Sequence, residues 1–353
     1  MDVTKLDENF KTGDNHIKNG LIYYSINKLP LKLYGLIREN GVYRRMPRAV
    51  AESVSEGVAC LNDATAGGRV RFITDSPIVA ISVIYSGIAR NPHHSLIGSA
   101  GFDMYEETEN DATHVFSFIP PLDIGNELNT QKEFPDSRKR QLLINLPTYS
   151  GVREMYVGIK EGYSVLPPDS YATEKPVVFY GSSITQGACA SRPGNTYQAI
   201  LSRQFGFDYI NLGFSGNAKG ELQMAEYISK IDMSAFVYDY DYNAPSVEHL
   251  LNTHKNMFDV IRKANPDLPI LMLSRPNPHL NYDEIKRCEV IKETYESAVK
   301  SGDENVYFIP GNELILPMCE ETALVDYAHP NDSGFVSMAE VMKDTLRKML
   351  GGR

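Results

Sequence analysis

The stretch VVFYGSSITQG, residues 177–187, joins an apolar, β-branched and aromatic run to a cluster of small and hydroxyl residues. The run lies between Pro176 and Gly181 and is too short for an independent helix, so it predicts a β-strand. Ser183 then falls just past the strand end, where a serine can be presented as a nucleophile. The alternative is an ordinary turn, because glycine and serine are common turn residues.

Two familiar glycine-containing motifs do not account for this segment. A phosphate-binding loop needs G-x-x-x-x-G-K-[ST], and the serine turn of α/β-hydrolases needs G-x-S-x-G. Neither surrounds Ser183, and GFSG at residues 213–216 misses the second pattern by one position. The role of Ser183 must therefore be judged from other parts of the chain.

Near the carboxyl terminus, DYAHPN at residues 326–331 places an acid three residues before a histidine. A serine nucleophile needs a base, and a carboxylate can fix the tautomer of His329 while the other ring nitrogen reaches the serine hydroxyl. Asp326 and His329 are thus candidates for the orienting acid and the base. The alternative is a surface hydrogen bond between the two side chains.

Two further stretches follow predicted strands, GFSGN at residues 213–217 and DYDYN at residues 239–243. The Gly216 N–H and the Asn243 side-chain amide can join the Ser183 N–H as donors to an oxyanion. The alternative is structural, with the glycine serving a tight turn and the segment after Asn243 capping the next helix.

These four blocks, in this order, resemble those of the SGNH or GDSL-type serine hydrolases, a family named for a serine, a glycine, an asparagine and a histidine. The resemblance implies that Ser183 is the nucleophile and that His329 is the base, oriented by Asp326. It also implies that Gly216 and Asn243 form the oxyanion hole together with the Ser183 N–H.

The chain departs from the usual family pattern in two blocks. Ser182 stands where the family has the aspartate of Gly-Asp-Ser, and DYNA at residues 241–244 lacks the glycine and the final aspartate of Gly-x-Asn-Asp. The likeness is greatest to a two-domain branch that carries GACASRPG, here residues 187–194, and GxDLY, here GFDMY at residues 101–105. It covers nearly the whole chain and implies an N-terminal β-sandwich.

The residues themselves predict the α/β fold class for the C-terminal half. From Pro176 onward, short apolar strands alternate with segments of helical period, a pattern typical of βαβ units. Strands are predicted near residues 177–180, 209–212, 236–240, 270–273 and 306–309. The last helix is predicted from an apolar stripe of Phe335, Met338, Val341, Met342, Leu346 and Met349, which ends at Gly351 and Gly352. By the resemblance, this half is a flavodoxin-like, three-layer domain with a five-stranded parallel sheet, whose carboxyl edge would hold all four blocks.

The N-terminal half shows short alternating runs separated by turn residues, at residues 69–74, 79–85, 114–119 and 141–146. This pattern predicts an antiparallel β-sandwich or jelly roll. The segment PPDS at residues 167–170 marks the predicted linker. We therefore expect an N-terminal β-sandwich domain at residues 1–168 and a catalytic domain at residues 169–353, since the length exceeds that of a single core.

Composition limits the partners of this protein. Its 353 residues carry a formal net charge of −10, which argues against a nucleic-acid or anionic-membrane surface because phosphate binding needs clustered Lys and Arg. The four cysteines are widely spaced and suit a reducing compartment. Neither a signal-peptide core nor a span of about 20 apolar residues stands out, so a cytoplasmic location is expected unless a signal was removed. The oligomeric state is not predicted.

Metal catalysis is the main chemical rival. Asp239, Asp241 and His329 could converge as hard ligands, but the H-E-x-x-H spacing is absent and the triad explains the same region with fewer assumptions. We therefore expect neither a metal ion nor another cofactor. Cys189 is expected to be a small buried hydrophobe rather than a reactive thiol.

Some polar residues of the N-terminal half lack a predicted role. His93 and His94 are expected in a solvated loop of the sandwich. The alternative is that this loop, or Asp103 and Tyr105, leans over the active site and shapes a substrate pocket.

The predicted function is that of a serine esterase. The two-domain branch includes carbohydrate esterases, so the resemblance implies removal of short-chain O-acyl groups, mainly acetyl, from a carbohydrate, an oligosaccharide or a similar small molecule. Two alternatives remain open. An acyltransferase would use the same triad, and a non-catalytic carbohydrate-binding protein would use the sandwich, although the chain has no tryptophan and relies on 21 tyrosines for stacking.

Overall fold

The computed structural model describes residues 16–108 and 111–352. The strands of the N-terminal half are β1 (His16–Lys18), β2 (Leu21–Ser25), β3 (Lys32–Tyr34), β4 (Ile37–Glu39), β5 (Val42–Arg44), β6 (Arg69–Thr74), β7 (Ile78–Gly87), β8 (Phe102–Glu107), β9 (Ala112–Phe118), β10 (Glu127–Glu133), β11 (Arg140–Asn145), β12 (Gly151–Lys160) and β13 (Val165–Leu166). Short helices lie between some of them, namely α1 (Arg48–Val54), α2 (Glu56–Leu61) and α3 (Leu96–Ala100).

Most of these strands form two antiparallel sheets that pack face to face. One sheet has the order β1-β2-β12-β7-β10, and the other has the order β13-β6-β11-β8-β9, with β3 paired to β6. Both contribute to one hydrophobic cluster, which contains Ile81 and Val157 from the first sheet and Phe72 and Ile144 from the second. The predicted antiparallel sandwich is confirmed, and its jelly-roll topology stays a prediction.

The C-terminal half is built on a parallel sheet. Its strands are β14 (Thr173–Gly181), β15 (Phe207–Gly213), β16 (Ala235–Asp239), β17 (Ile270–Leu273) and β18 (Val306–Ile309). The helices are α4 (Ser183–Gln186), α5 (Tyr197–Phe205), α6 (Leu222–Ile228), α7 (Val247–Ala264), α8 (Tyr282–Lys300) and α9 (Asp332–Met349). The sheet order β15-β14-β16-β17-β18 is the flavodoxin-like order, as predicted. No helix in the described ranges is both long and apolar enough to cross a membrane.

Alternate residues of β14 supply the two helix layers. Val178 and Tyr180 belong to the cluster that α6, α7 and α8 cover. Val177 and Phe179 belong to the cluster beneath α5 and α9. Because both faces of the strand are buried, its sequence is a continuous apolar run rather than an alternating one.

Helices α1 and α2 come from the N-terminal half but pack against the parallel sheet. Ala51 and Val58 are buried in the same cluster as Phe214. Arg45, just before α1, is also buried, donates to the Gly213 carbonyl and lies 4.4 Å from the centre of the Phe214 ring. The domain boundary between residues 168 and 169 stays a prediction. Helices α1 and α2 precede that boundary in sequence but pack with the C-terminal half.

The start of α9 is tied to the loop that precedes it. Asn331 caps the helix by accepting hydrogen bonds from the Ser333 and Gly334 N–H groups at 2.9 and 3.3 Å. Gly334 needs to lack a side chain, because a Cβ there would lie 2.5 Å from the Ala323 carbonyl oxygen. The predicted acid and base lie between Ala323 and this cap, so α9 anchors both.

A buried carboxylate joins the sandwich to the C-terminal half. Asp103 on β8 is fully buried and accepts hydrogen bonds from the Gly194 N–H and the Asn145 amide, each at 2.9 Å. On the same strand, the Tyr105 hydroxyl accepts a hydrogen bond from Arg192 at 2.8 Å. These contacts fix the turn that precedes α5.

Gly194→Ala is expected to destabilise the protein by about 1–3 kcal/mol, the usual cost of overpacking a tight contact. The new Cβ would lie between 2.6 and 2.8 Å from side-chain atoms of Tyr105, Asp103 and Asn145. Urea unfolding followed by circular dichroism measures the change. Gly125→Ala is the matched control, because a Cβ there meets no described atom within 4 Å. Equal losses in the two variants would contradict the tight contact.

Candidate active site

Ser183 begins a short helix at the carboxyl edge of the parallel sheet. Strand β14 ends at Gly181, and the Ser182 side chain caps α4 by accepting a hydrogen bond from the Ile184 N–H at 3.2 Å. Gly187 closes the helix at φ +100°, in the left-handed region that favours glycine. The turn is therefore built by local capping, with Ser183 held at the first helical position.

The Ser183 hydroxyl meets the predicted base across 146 residues of sequence. Its Oγ lies 2.9 Å from Nε2 of His329. Nδ1 of the same ring lies 3.0 and 2.9 Å from the two carboxylate oxygens of Asp326. In this arrangement the imidazole can take the hydroxyl proton while the carboxylate fixes its tautomer.

The backbone holds Asp326 as a charged acceptor. Burial raises its pKa, but hydrogen bonds from the His329 ring and from the His329 and Ala328 N–H groups outweigh that effect, and the pKa lies below its ordinary value. The two backbone donors are 2.9 and 3.2 Å from Oδ1. The carboxylate therefore stays charged at neutral pH and can stabilise an imidazolium.

The second and third blocks lie next to each other at the same sheet edge. Nδ2 of Asn243 donates to the Phe214 carbonyl at 3.0 Å, and the Phe214 N–H donates to the Gly181 carbonyl at 2.8 Å. A side-chain amide carries two N–H groups, so one from Asn243 remains for a further acceptor. Gly216 adopts φ +70°, and a Cβ there would meet no described atom within 4 Å. Both predicted donors thus lie in loops that adjoin the end of β14, just before Ser183.

Both halves of the chain support the loop that contains Gly216. The Ser215 N–H donates to the Gln186 side chain at 3.0 Å. On the other side, Gly57 of α2 packs so closely that a Cβ there would overlap the Asn217 side chain. Because α2 and α4 both contact this loop, its position depends on the docking of the two halves.

Asp239 and Asp241 are turned into the protein interior. The Asp239 carboxyl accepts the Thr185 hydroxyl, and burial raises its pKa to about 8. The Asp241 carboxyl accepts the Arg275 N–H at 3.1 Å, and burial raises its pKa to about 6. Neither joins His329 in a group of closely spaced metal-type ligands within the described ranges.

Sequence reasoning missed Arg275, which connects two parts of the site. Its guanidinium pairs with Glu284 and donates to the Tyr327 carbonyl, between the acid and the base. It also lies 3.9 Å from the centre of the Tyr242 ring in the third block. The sequence offered one signal for this residue. Arg275 follows the end of a predicted strand by two residues, at the sheet edge where the other site residues lie.

A loop from the N-terminal half reaches the predicted base. The ring centres of His93 and His329 are 5.5 Å apart, and His94 packs on Tyr149 at 4.5 Å. Burial, followed by the neighbouring His93 and His329, lowers the pKa of His94 to about 4, so this ring is neutral at neutral pH. His93 is exposed, as expected for a solvated loop. The loop nevertheless lies beside His329, which agrees with the alternative that it leans over the site.

Cys189 is buried, as predicted, but it is not remote from histidines. It adopts φ +65°, and its thiol forms a group with His93 and His329 in which the ligand atoms all lie within 4.8 Å of one another. Burial raises the pKa of the thiol to about 12, so it is not a thiolate nucleophile at neutral pH.

Asp103 and Tyr105 do not line an open pocket in this structure. Asp103 is 0% exposed and Tyr105 is 3% exposed. Both accept hydrogen bonds from the turn that precedes α5, so they hold that turn of the C-terminal half in place. His93 of the N-terminal half, by contrast, lies with its ring centre 5.5 Å from that of His329.

Comparison with known families accounts for both halves of the chain. Residues 174–347 match the model of the GDSL-like lipase/acylhydrolase family. Residues 21–165 match the model for the N-terminus of Esterase_SGNH_hydro-type proteins, named GxDLY. No curated protein is significantly similar to the chain in sequence.

Solved structures resemble the two halves together. A structure described as a GDSL-like lipase, from Bacteroides ovatus, is 28% identical with a TM-score of 0.81, and the match covers 94% of this chain and 98% of that one. A salicylyl-acyltransferase from a tetracycline biosynthetic pathway is 22% identical with a TM-score of 0.76, covering 96% and 100% of the two chains. A family two carbohydrate esterase from Clostridium thermocellum is 16% identical with a TM-score of 0.60, covering 82% and 94%. The chain therefore belongs to the SGNH/GDSL-type serine hydrolases, in the branch with a GxDLY N-terminal region, and is an esterase.

Proposed function

We propose that the esterase works through an acyl-enzyme, with Ser183 as nucleophile, His329 as base and Asp326 as the group that orients the base. The observation that carries this proposal is the 2.9 Å hydrogen bond between Ser183 Oγ and His329 Nε2. The Asp326 carboxylate on the far ring nitrogen supports it, because that bond leaves Nε2 as the free acceptor.

In the first half-reaction, Nε2 of His329 takes the hydroxyl proton as Ser183 Oγ bonds to the ester carbonyl carbon. The imidazolium then passes this proton to the departing alcohol when the ester C–O bond breaks. In the second half-reaction, a water gives a proton to the same nitrogen and attacks the acyl carbon. The free acid leaves as Ser183 recovers its proton.

The oxyanion formed in each half-reaction needs donors that are already in position. We assign this role to the N–H groups of Ser183 and Gly216 and to the Asn243 side-chain amide. The bond from Asn243 to the Phe214 carbonyl orients the amide and leaves its second N–H for the oxyanion. Such donors stabilise the transition state most when their orientation is fixed before the reaction.

The proposed substrate is a short-chain ester, mainly acetyl, of a carbohydrate or a similar small molecule. The support comes from the fold, because similar structures include family two carbohydrate esterases and an acetyl xylan esterase from Butyrivibrio proteoclasticus, 14% identical with a TM-score of 0.61. A cavity of about 670 Å³ also lies beside Ser215, with Tyr149 and Asn91 of the N-terminal half among its lining residues. Ser183, His329 and Asp326 are not among those residues, so the substrate proposal rests on the fold rather than on this cavity.

Acyl transfer is the second candidate function. The salicylyl-acyltransferase resembles this chain over nearly the full length of both proteins. An alcohol would replace water in the second half-reaction, and the same three residues would serve. A non-catalytic carbohydrate-binding role has no comparable support, since it leaves the assembled serine, histidine and aspartate unexplained.

Hydrolysis of p-nitrophenyl acetate, butyrate and octanoate tests the proposed function. We expect turnover that decreases as the acyl chain lengthens, and Ser183→Ala should lower it by on the order of 10⁴-fold or more because the nucleophile is lost. The matched control is Ser182→Ala, which removes a helix cap but no reacting atom. Equal activity in Ser183→Ala and Ser182→Ala would refute the assignment of Ser183.

A competing alcohol distinguishes hydrolysis from acyl transfer. We expect the acetate assay, run with an added monosaccharide acceptor, to release acetic acid as the main product, detected by mass spectrometry. Predominant formation of the acetylated sugar would instead establish the transferase, since both products arise from the same acyl-enzyme.

Asn243→Ala is expected to lower kcat by about 10²- to 10³-fold, the typical effect of losing one oxyanion donor. Because the donor acts on charge that develops in the transition state, KM should change much less than kcat. Steady-state kinetics on p-nitrophenyl acetate measures both. Asn252→Ala, an exposed site on α7, is the control. A kcat in Asn243→Ala within a few-fold of this control would remove Asn243 from the oxyanion hole.

A further inference from the structure

Three side chains with metal-binding chemistry meet at the active site from distant parts of the chain. His93 comes from the N-terminal half, Cys189 from the loop after α4, and His329 from the loop before α9. One ligand atom from each lies within 4.8 Å of the other two. The mechanism proposed above uses only His329, so the proximity of the other two is not explained by ester hydrolysis.

His329 is already oriented as metal-ligating histidines commonly are. Its Nδ1 is 2.9 Å from a carboxylate oxygen of Asp326, which leaves Nε2 as the ring nitrogen whose lone pair accepts the Ser183 hydroxyl. A carboxylate on the far nitrogen is the usual partner of a histidine bound to zinc, because it fixes the tautomer and raises the basicity of the ligand. The same bond therefore prepares Nε2 for either a proton or a cation.

The ligand set favours one class of cation. A thiolate and two imidazoles suit Zn²⁺ and similar borderline-soft ions, whereas Mg²⁺ and Ca²⁺ prefer oxygen ligands. In a tetrahedral zinc site with bonds of about 2.0–2.3 Å, neighbouring ligand atoms are about 3.3–3.8 Å apart. The longest separation must therefore shorten by up to roughly 1 Å, and His93 is the exposed ligand of the three.

We propose that His93, Cys189 and His329 form an inhibitory site for Zn²⁺ or a similar cation. Binding converts the Cys189 thiol to a thiolate, with its proton released to solvent, and occupies Nε2 of His329. The hydrogen bond from Ser183 is then lost, because Nε2 has only one lone pair to offer. The fourth position is left for water. Dissociation of the cation and return of the proton restore the base.

Cation binding is tested first without reference to catalysis. Chelator-treated protein is titrated with Co²⁺, which gives a near-ultraviolet charge-transfer band when a thiolate coordinates it. We expect one ion per chain and the same band in Ser183→Ala, which keeps all three ligands. The band should be absent in Cys189→Ser and persist in Cys60→Ser, where an exposed cysteine is removed. A band that survives in Cys189→Ser, or that never forms in the wild type, would overturn the site.

Inhibition is the second arm, and it rests on the proposed function. Zn²⁺ in slight excess should lower the rate of p-nitrophenyl acetate hydrolysis by at least 10-fold, and a chelator should restore the rate. A 10-fold change corresponds to about 1.4 kcal/mol of binding free energy. Rates are compared with the metal-free rate of each variant. The half-inhibiting Zn²⁺ concentration should rise at least about 100-fold in His93→Gln, because a direct ligand contributes more than the 10- to 100-fold of an outer-shell group.

The exposed His93 limits folding defects in the test, since its ring lies against the half-buried rings of His94 and His329 rather than inside a hydrophobic cluster. His114→Gln, at another exposed histidine, is its control and should keep the sensitivity of the wild type. Equal inhibition of His93→Gln and wild type would refute the proposal. If no ester is hydrolysed by the wild type, the esterase assignment fails while the Co²⁺ titration still decides the cation site.

Discussion

Parallel pairing at Gly181 is the constraint on which the active site depends. Gly181 lies opposite Gly213 on one neighbouring strand and Asp239 on the other, so three loops leave the sheet at one level. A side chain at residue 181 would overlap the Asp239 carboxylate, and one at residue 213 would overlap the backbone of Gln186. The two glycines allow the turn that carries Ser183 to pack closely against the sheet. A shift of register would separate Ser183 from the loops beside it.

The pKa values of two aspartates near this turn are shifted in opposite directions because their surroundings differ. Asp326 is partly exposed and accepts several hydrogen bonds, which keep its pKa below the ordinary value. Asp239 is fully enclosed, and burial raises its pKa to about 8. Only the charged carboxylate can stabilise an imidazolium, so Asp326 suits the catalytic role. The neutral one braces the turn through Thr185 instead.

The local sequence pattern predicted the strands and the edge of the sheet at which the site lies. It did not predict contacts between loops that are distant in sequence. The strand expected at residues 177–180 spans Thr173–Gly181, and the blocks were placed at one edge because parallel strands end together. Arg275 and the meeting of His93 with Cys189 depend on how loops distant in sequence dock, which no short pattern records. Helices α1 and α2 were missed for another reason, since seven and six residues are too few to establish a helical period within a β-rich region.

The helices that the N-terminal half inserts into the parallel-sheet core have an evolutionary consequence. Ala51 and Val58 fill part of the layer that contains Phe214, and Gly57 contacts Asn217 in the loop that contains Gly216. Exchange of the whole sandwich would remove these side chains from the core layer and would also remove the support of that loop. Residues 45–61 therefore constrain any exchange of the sandwich between proteins, because the C-terminal half needs them to complete its core.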